Sequence, residues 1–159
     1  MGDYEEKAFT FDPYITAKTF ALGKARATFS MLNDKKVIVL GADTVVYYNG
    51  KILGKAKTEE DALKTLSELS GKTHKVITGY ALVGEFGIKQ GFVETEVEFN
   101  TLSKELINEY IKSGLYKGKA GSYGIQDGFP LVKRYKGSLN NVIGLPIETL
   151  KPIIDELMK

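Results

Sequence analysis

The apolar run at residues 37–48 reads Val-Ile-Val-Leu-Gly-Ala-Asp-Thr-Val-Val-Tyr-Tyr. A nearly continuous run of this kind predicts a strand that is buried on both faces. Gly41, Asp43 and Thr44 interrupt it. An ionised aspartate in a dry core is costly unless it is paired or bound to a cation. Asp43 therefore indicates the wall of a cleft; the alternative is an aspartate that caps a turn or pairs with a nearby lysine.

Helix and turn signals flank this strand. Asp12-Pro13 predicts the start of a helix that ends near residue 32, because Asp can cap and Pro suits the first turn. Asn49-Gly50 is a strong hairpin signal and returns Lys55 towards the strand that carries Asp43. Thr58 predicts the start of a second helix. The predicted buried face of that helix comprises Ala62, Leu63, Leu66 and Leu69.

The second half of the chain predicts an antiparallel strand pair and several shorter elements. Residues 73–83 form its first strand, and the return strand alternates apolar residues with Glu94, Glu96 and Glu98. We interpret the glutamates as a solvated face and not a metal site, because alternating charge is typical of a half-buried strand. The other predicted elements are a helix at 104–112 with Ser103 as its cap, strands at 129–135 and 139–145, and a last helix that starts at Pro146.

Composition narrows the class of protein. The chain has 159 residues and a net charge of +2, which predicts one domain over residues 1–159 and does not favour a nucleic-acid partner. It has no cysteine and one histidine, so thiolate or multi-histidine metal sites within the chain are excluded. The polar N-terminus lacks the features of a signal peptide, and no apolar stretch is long enough to span a membrane. We therefore expect a soluble, cytoplasmic protein.

A glycine-rich segment, residues 117–128, has four glycines in twelve positions. It lacks the spacing of a P-loop or a Rossmann turn. Its backbone N–H groups could approach an anion closely, although a plain flexible loop is the alternative. Together with Asp43, the lysines at positions 24, 55 and 119, and Gln126 beside Tyr123, this segment suggests hydrolysis of a nucleotide phosphoanhydride, with Gln126 and Tyr123 contacting a base by hydrogen bonds and stacking.

Several segments, in order along the chain, resemble the Maf family of nucleoside triphosphate pyrophosphatases. They are Gly41-Ala-Asp-Thr-Val-Val46, Leu53-Gly-Lys-Ala-Lys57, Leu69-Ser-Gly-Lys-Thr-His-Lys-Val-Ile-Thr-Gly79, Lys119-Ala-Gly-Ser-Tyr-Gly-Ile-Gln126 and Asn141-Val-Ile-Gly-Leu-Pro146. The resemblance implies an α/β fold with a curved mixed sheet, flanking helices and a deep cleft, related to the inosine triphosphate pyrophosphatase architecture. It also implies cleavage of a nucleoside triphosphate to the monophosphate and pyrophosphate with a divalent cation, Mg²⁺ or Mn²⁺.

The same resemblance assigns roles to individual residues. Asp43 would activate water and bind metal, and Glu6 matches an acidic residue near the metal. Lys24, Lys55 and Gln126 match positions in the substrate pocket. Thr44 and Gln126 would determine specificity, since Ala-Asp-Thr and Gly-Ile-Gln are similar to the branch that acts on dTTP and UTP, whereas the branch for modified nucleotides usually carries Ser-Asp-Gln.

Three departures from the family pattern affect these expectations. The sequence begins at Met1, just before Glu5-Glu6, so the family's first strand, first helix and Ser-x-Ser-Pro-Arg-Arg segment are expected to be absent. Either this sequence is truncated at a wrong start, or the protein is a reduced member of the family with impaired or altered activity. An exposed sheet edge would then favour pairing with a second chain, as in a homodimer. Ala56 stands where proline is usual. Asp127 stands where glycine is usual and would weaken anion binding unless it helps to hold metal.

Two functional hypotheses follow from the sequence. The first is a metal-dependent pyrophosphatase acting on dTTP or UTP. The second is a non-catalytic nucleotide-binding or partner-binding protein that has kept the pocket but lost the arginine pair. His74 is interpreted as a structural residue, because a lone histidine lacks a catalytic partner.

Overall fold

The computed structural model describes residues 12–143 and 145–158. In chain order its elements are α1 (Pro13–Met31), β1 (Val39–Tyr48), β2 (Lys51–Leu53), α2 (Glu59–Leu69), β3 (Thr73–Gly84), β4 (Gly87–Phe99), α3 (Lys104–Ser113), β5 (Val132–Lys136), α4 (Leu139–Ile143) and α5 (Ile147–Leu157). None of the described helices is both long and apolar enough to cross a membrane.

Five strands form one sheet in the order β2-β1-β3-β4-β5, and every described pairing is antiparallel. The predicted hairpin joins β1 to β2, where Asn49 and Gly50 both have positive φ, 52° and 76°. Two consecutive left-handed residues give a turn whose twist matches that of the flanking strands. The α/β class expected from the sequence is confirmed, and helices flank the sheet as predicted.

Helix α1 packs directly against β1 and β3. Its N-cap is Asp12, whose carboxylate accepts hydrogen bonds from the backbone N–H groups of Tyr14 and Ile15, as the sequence predicts. Gly41 on β1 and Gly79 on β3 make this close approach possible. A Cβ at Gly41 would overlap the backbone of Ala21, and one at Gly79 would overlap the backbone of Ala17. Gly41 thus marks a close backbone approach, and β1 continues through it in regular register with β3.

The main hydrophobic core lies on the other face of the sheet. Successive side chains of a strand point to opposite faces, so Val45 packs towards α1 whereas Val46 packs into this core. Helices α2 and α3 cover that core, and both have the predicted capping hydroxyls, Thr58 and Ser103. Leu63 is 40% exposed, so the prediction that it belongs to the buried face of α2 is wrong.

The predicted strand at 139–145 is also wrong, because residues 139–143 form the short helix α4. The Ser138 hydroxyl accepts a hydrogen bond from the backbone N–H of Asn141 and so stabilises a helical turn. The side chain of Asn141 is fully buried, and its amide donates to the Val76 carbonyl and to the Thr95 hydroxyl. These tertiary hydrogen bonds override the strand propensity of the apolar residues. The strand predicted at 129–135 forms as β5, which begins only at Val132.

Candidate active site

A cleft of about 260 Å³ lies beside β1, between Lys24 of α1, the segment after β2 and the glycine-rich segment. All the predicted site residues within the described range line it: Lys24, Asp43, Thr44, Lys55 and Gln126. Glu6, the remaining predicted residue, lies outside the described residues. A second cavity of about 230 Å³ adjoins the first and shares Asp43, Thr44 and Lys55 with it. Helix α1, the segment after β2 and the glycine-rich segment therefore converge on the part of β1 that carries Asp43.

Asp43 and Lys24 form an ion pair in the wall of the cleft. The Lys24 ammonium donates to Asp43 Oδ1 at 2.7 Å, and the aspartate side chain is 8% exposed. The pair exists because α1 packs closely on β1, which brings residues that are 19 positions apart into contact. Both alternatives for Asp43 therefore apply to it, since it pairs with a lysine and also lines a cleft.

Thr44 belongs to a hydrogen-bonded group on the opposite face of β1. Its hydroxyl lies 2.8 Å from that of Thr78, and the Thr78 hydroxyl donates to the Asn141 carbonyl at 3.2 Å. Asn141, fully buried on α4, therefore helps to position Thr44. Sequence reasoning placed Asn141 in a strand and missed this function. The available signal was the polar side chain of Asn141 within an apolar segment, because a buried amide requires hydrogen-bond partners.

Lys55 is brought to the cleft by a backbone contact with the glycine-rich segment. Lys55 and Ala120 form an isolated antiparallel bridge, and the Gly121 N–H donates to the Leu53 carbonyl at 3.1 Å. Gly121 has φ of +68°, and a Cβ there would lie within 2.8 Å of a Val46 methyl group. Glycine is needed at this position because the segment crosses close to β1 in a left-handed conformation.

Asp127 is paired within the glycine-rich segment. Its buried carboxylate accepts hydrogen bonds from the Lys119 ammonium at 2.7 Å, the Tyr110 hydroxyl at 2.5 Å and the Gly124 N–H at 2.9 Å. Asp127 is not among the residues that line the cleft, whereas Gln126 is. The negative charge expected near the phosphates is thus compensated by Lys119. Burial and the hydrogen bond to Asp127 raise the pKa of Tyr110.

Comparison with known proteins agrees with this arrangement. The Maf family, described as "Maf-like protein", matches residues 2–157. The chain belongs to the Maf family. It is 42% identical over 152 residues to a protein of Pyrococcus furiosus, with 95% of this chain and 79% of that protein aligned. It is 49% identical over 145 residues to a protein of Desulfitobacterium hafniense, covering 87% of this chain and 65% of that protein. Both relatives are named dTTP/UTP pyrophosphatase.

In this member of the Maf family, Tyr123 lies in the core and is 5% exposed. Its hydroxyl lies 2.6 Å from His74 Nε2, and its ring contacts His74 and Phe99 edge-to-face. Tyr123 lines the cleft, although most of its ring is packed in the core. Stacking of this ring on a base stays a prediction. His74 is buried, and burial lowers its pKa to about 4. It has the structural environment predicted for it.

The divalent cation implied by the Maf resemblance can be tested against the residues that line the cleft. Among the described residues, no group of three or more acidic or histidine side chains could hold a metal ion. Among the described residues that line the cleft, Asp43 is the only one with a carboxylate side chain. Mg²⁺ is often held by one or two carboxylates together with substrate phosphates. The described residues therefore fit a cation that is shared with a phosphate ligand, and they do not form a complete site by themselves.

Proposed function

We propose that this chain is a nucleoside triphosphate pyrophosphatase that hydrolyses dTTP and UTP to the monophosphate and pyrophosphate. The observation that carries the proposal is the convergence of Asp43, Lys24, Lys55, Thr44 and Gln126 on one cleft. These residues provide a carboxylate, two cations and two side chains that can hydrogen-bond to a nucleotide. The names of the relatives from Pyrococcus furiosus and Desulfitobacterium hafniense support the same substrates.

In the proposed reaction, Asp43 acts as the general base. Its carboxylate accepts a proton from a water molecule, and the water oxygen forms a bond to the α-phosphorus of the nucleotide. The bond between that phosphorus and the oxygen bridging to the β-phosphate breaks, and pyrophosphate leaves with the bonding electrons. Lys24 and Lys55 lie beside the same cleft and neutralise negative charge on the phosphates.

Asp43 would hold Mg²⁺ or Mn²⁺, and the cation would supply positive charge to stabilise the leaving group. Glu6 is the other proposed metal ligand, on the basis of the family resemblance. Lys24 keeps Asp43 oriented towards the cleft through their 2.7 Å contact. The low exposure of Asp43 limits the access of bulk water, which strengthens electrostatic interactions in the site.

Thr44 and Gln126 are the proposed specificity residues. Thr44 is held by the Thr78 hydroxyl, so its position in the cleft wall is well defined. Gln126 lies across the cleft on the glycine-rich segment, and its amide can both donate and accept hydrogen bonds with the edge of a pyrimidine base. A base bound between them would be recognised through its hydrogen-bonding pattern.

The experiment is pyrophosphate release from dTTP, UTP, CTP, ATP, GTP and ITP with Mg²⁺ or Mn²⁺, compared with Asp43→Asn. We expect turnover of dTTP and UTP that is lost in the variant. The Asn side chain retains the shape of the aspartate and removes its ability to take a proton. Absence of turnover on every nucleotide, with tight nucleotide binding by calorimetry, would contradict the proposal and favour the non-catalytic binding protein.

A further inference from the structure

The carboxylate of Asp127 connects the glycine-rich segment to α3. It accepts hydrogen bonds from three donors: Tyr110 on α3, and Lys119 and the backbone of Gly124 within the segment. The Asp127 side chain is 6% exposed. A buried carboxylate with three hydrogen bonds is strongly stabilised in one position, because each bond to a charged group is stronger than a neutral one.

These contacts close a tight turn at residues 124–127. The Asp127 N–H donates to the Gly124 carbonyl at 3.2 Å, and the Gly124 N–H donates back to the Asp127 carboxylate at 2.9 Å. Ile125 and Gln126 form the tip of the turn, and both line the cleft. The direction in which Gln126 leaves the backbone thus depends on a turn that is held at both ends by Asp127.

Gly124 leaves space for this arrangement. A Cβ at Gly124 would lie 2.9 Å from Asp127 Oδ1 and 3.0 Å from the Lys119 ammonium. The ion pair between Lys119 and Asp127 therefore packs over the face of Gly124 that a side chain would occupy. This local fit explains why the pair can be formed directly behind the wall of the cleft.

We propose that Asp127 is a positioning residue that orients Gln126 for recognition of the nucleotide base. The inference rests on the proposed function, because it assigns Asp127 to the same cleft. Asp127 does not contact the substrate; it acts through the 124–127 turn. Its removal should therefore weaken the binding of the substrate and leave the chemical step at Asp43 nearly unchanged.

The test compares Asp127→Ala and Asp127→Asn with Gln126→Ala and the double variant Asp127→Ala/Gln126→Ala. If Asp127 acts through Gln126, Asp127→Ala should raise KM for UTP about tenfold, with kcat within about twofold of wild type. In the Gln126→Ala background the same substitution should add less than about a twofold change. Asp127→Asn should be intermediate, because its amide oxygen can still accept from Gly124 or Tyr110 but loses the ion pair with Lys119.

Two controls separate positioning from general loss of stability. Glu94→Gln removes an ion pair with Lys75 away from the cleft and should leave KM and kcat unchanged. Tyr110→Phe removes one of the three donors with minimal change of shape, and a rise in KM smaller than that of Asp127→Ala is expected if the latter stays folded. If Asp127→Ala does not fold, Tyr110→Phe and Asp127→Asn carry the test. The inference would be overturned if Tyr110→Phe and Asp127→Asn were folded and had the KM of wild type, or if only their kcat fell. It would also be overturned if the Asp127 substitution raised KM as much in the Gln126→Ala background as in wild type.

Failure of the proposed function would be recognised separately, as a wild-type protein with no turnover on any nucleotide. Amide hydrogen exchange then provides the readout for Asp127. We expect faster exchange over residues 118–126 in Asp127→Ala or Asp127→Asn than in wild type, and no such change in Glu94→Gln. Unchanged exchange in a folded Asp127 variant would overturn the inference that this carboxylate holds the turn.

Discussion

Two ion pairs beside the cleft have nearly the same geometry and different surroundings. Lys24–Asp43 and Lys119–Asp127 both have N···O distances of 2.7 Å, and their aspartates are 8% and 6% exposed. Asp43 lines the cleft, where a ligand could compete for its carboxylate. Asp127 lies behind the cleft wall and accepts two further hydrogen bonds, from Tyr110 and Gly124.

The comparison teaches that the length and burial of an ion pair do not identify its role. What distinguishes the two aspartates is whether the carboxylate lines a space that can admit a ligand. Asp43 is suited to chemistry because it lies at the cleft, whereas Asp127 is suited to holding a turn because its described contacts connect the glycine-rich segment to α3.

Substitution of the two aspartates by asparagine should have the largest and most different effects. Asp43→Asn removes the proposed base and should lower kcat for UTP about 100- to 10,000-fold. Asp127→Asn should act mainly on KM, because the proposed chemistry does not involve its carboxylate. Steady-state kinetics on both variants, with circular dichroism to verify folding, provide the measurement. Equal losses of kcat in the two would remove the distinction between the pairs.

Gly79→Ala should disturb the first pair through the helix that carries Lys24. The added methyl group would overlap the backbone of Ala17, so α1 must shift away from the sheet. We expect a loss of about 2–3 kcal/mol in the free energy of unfolding, measured by denaturant titration, together with reduced activity. Gly54→Ala is the matched control, since nothing lies within 4 Å of its Cβ position, and its stability should change by less than about 0.5 kcal/mol. Similar stabilities of the two variants would contradict close packing of α1.

The pH dependence of stability should depend on His74, which lies beneath the glycine-rich segment. Burial lowers its pKa from 6.5 to about 4, so the unfolded chain binds a proton more readily than the folded protein between these values. The contribution of His74 to the free energy of unfolding is therefore complete above pH 6.5. It is lost as the pH decreases towards 4, by about 3 kcal/mol. In urea titrations across this pH range, the free energy of unfolding should decrease less steeply with falling pH for His74→Gln than for wild type. If the free energy of unfolding fell equally with pH in the two proteins, His74 would not be responsible for the pH dependence.

An exposed ion pair should give the smallest effect. Lys51 and Glu68 are 3.0 Å apart, and the lysine side chain is 53% exposed, so solvent screens their attraction. Lys51→Ala should reduce the free energy of unfolding by no more than about 1 kcal/mol, and added salt should diminish the difference. A larger loss in a thermal or urea unfolding experiment would mean that distance alone is a sufficient guide to the strength of these pairs.

Local signals in the sequence were enough to predict the framework around the cleft. Asp12 caps α1, Asn49-Gly50 forms the hairpin, and Ser103 caps α3 as expected. Each of these depends on hydrogen bonds or dihedral angles within a few residues, so the sequence contains the required information. Asp43 could likewise be predicted to line a cleft, because a charged residue within an apolar strand has few other stable environments.

Contacts between distant segments decided the remainder. Residues 139–143 became a helix because the buried Asn141 amide bonds to β3 and β4, and Tyr123 entered the core because His74 and Phe99 pack around it. Asp127 could have faced the phosphates or the protein; its contact with Tyr110, 17 positions away, determined that it faces the protein. By itself the sequence determined the two hairpins around β1 and β3, the caps of α1, α2 and α3, and the charged residue at the cleft. Only the tertiary structure decided which polar groups are paired in the interior, because burial requires each of them to find a partner that sequence spacing does not specify.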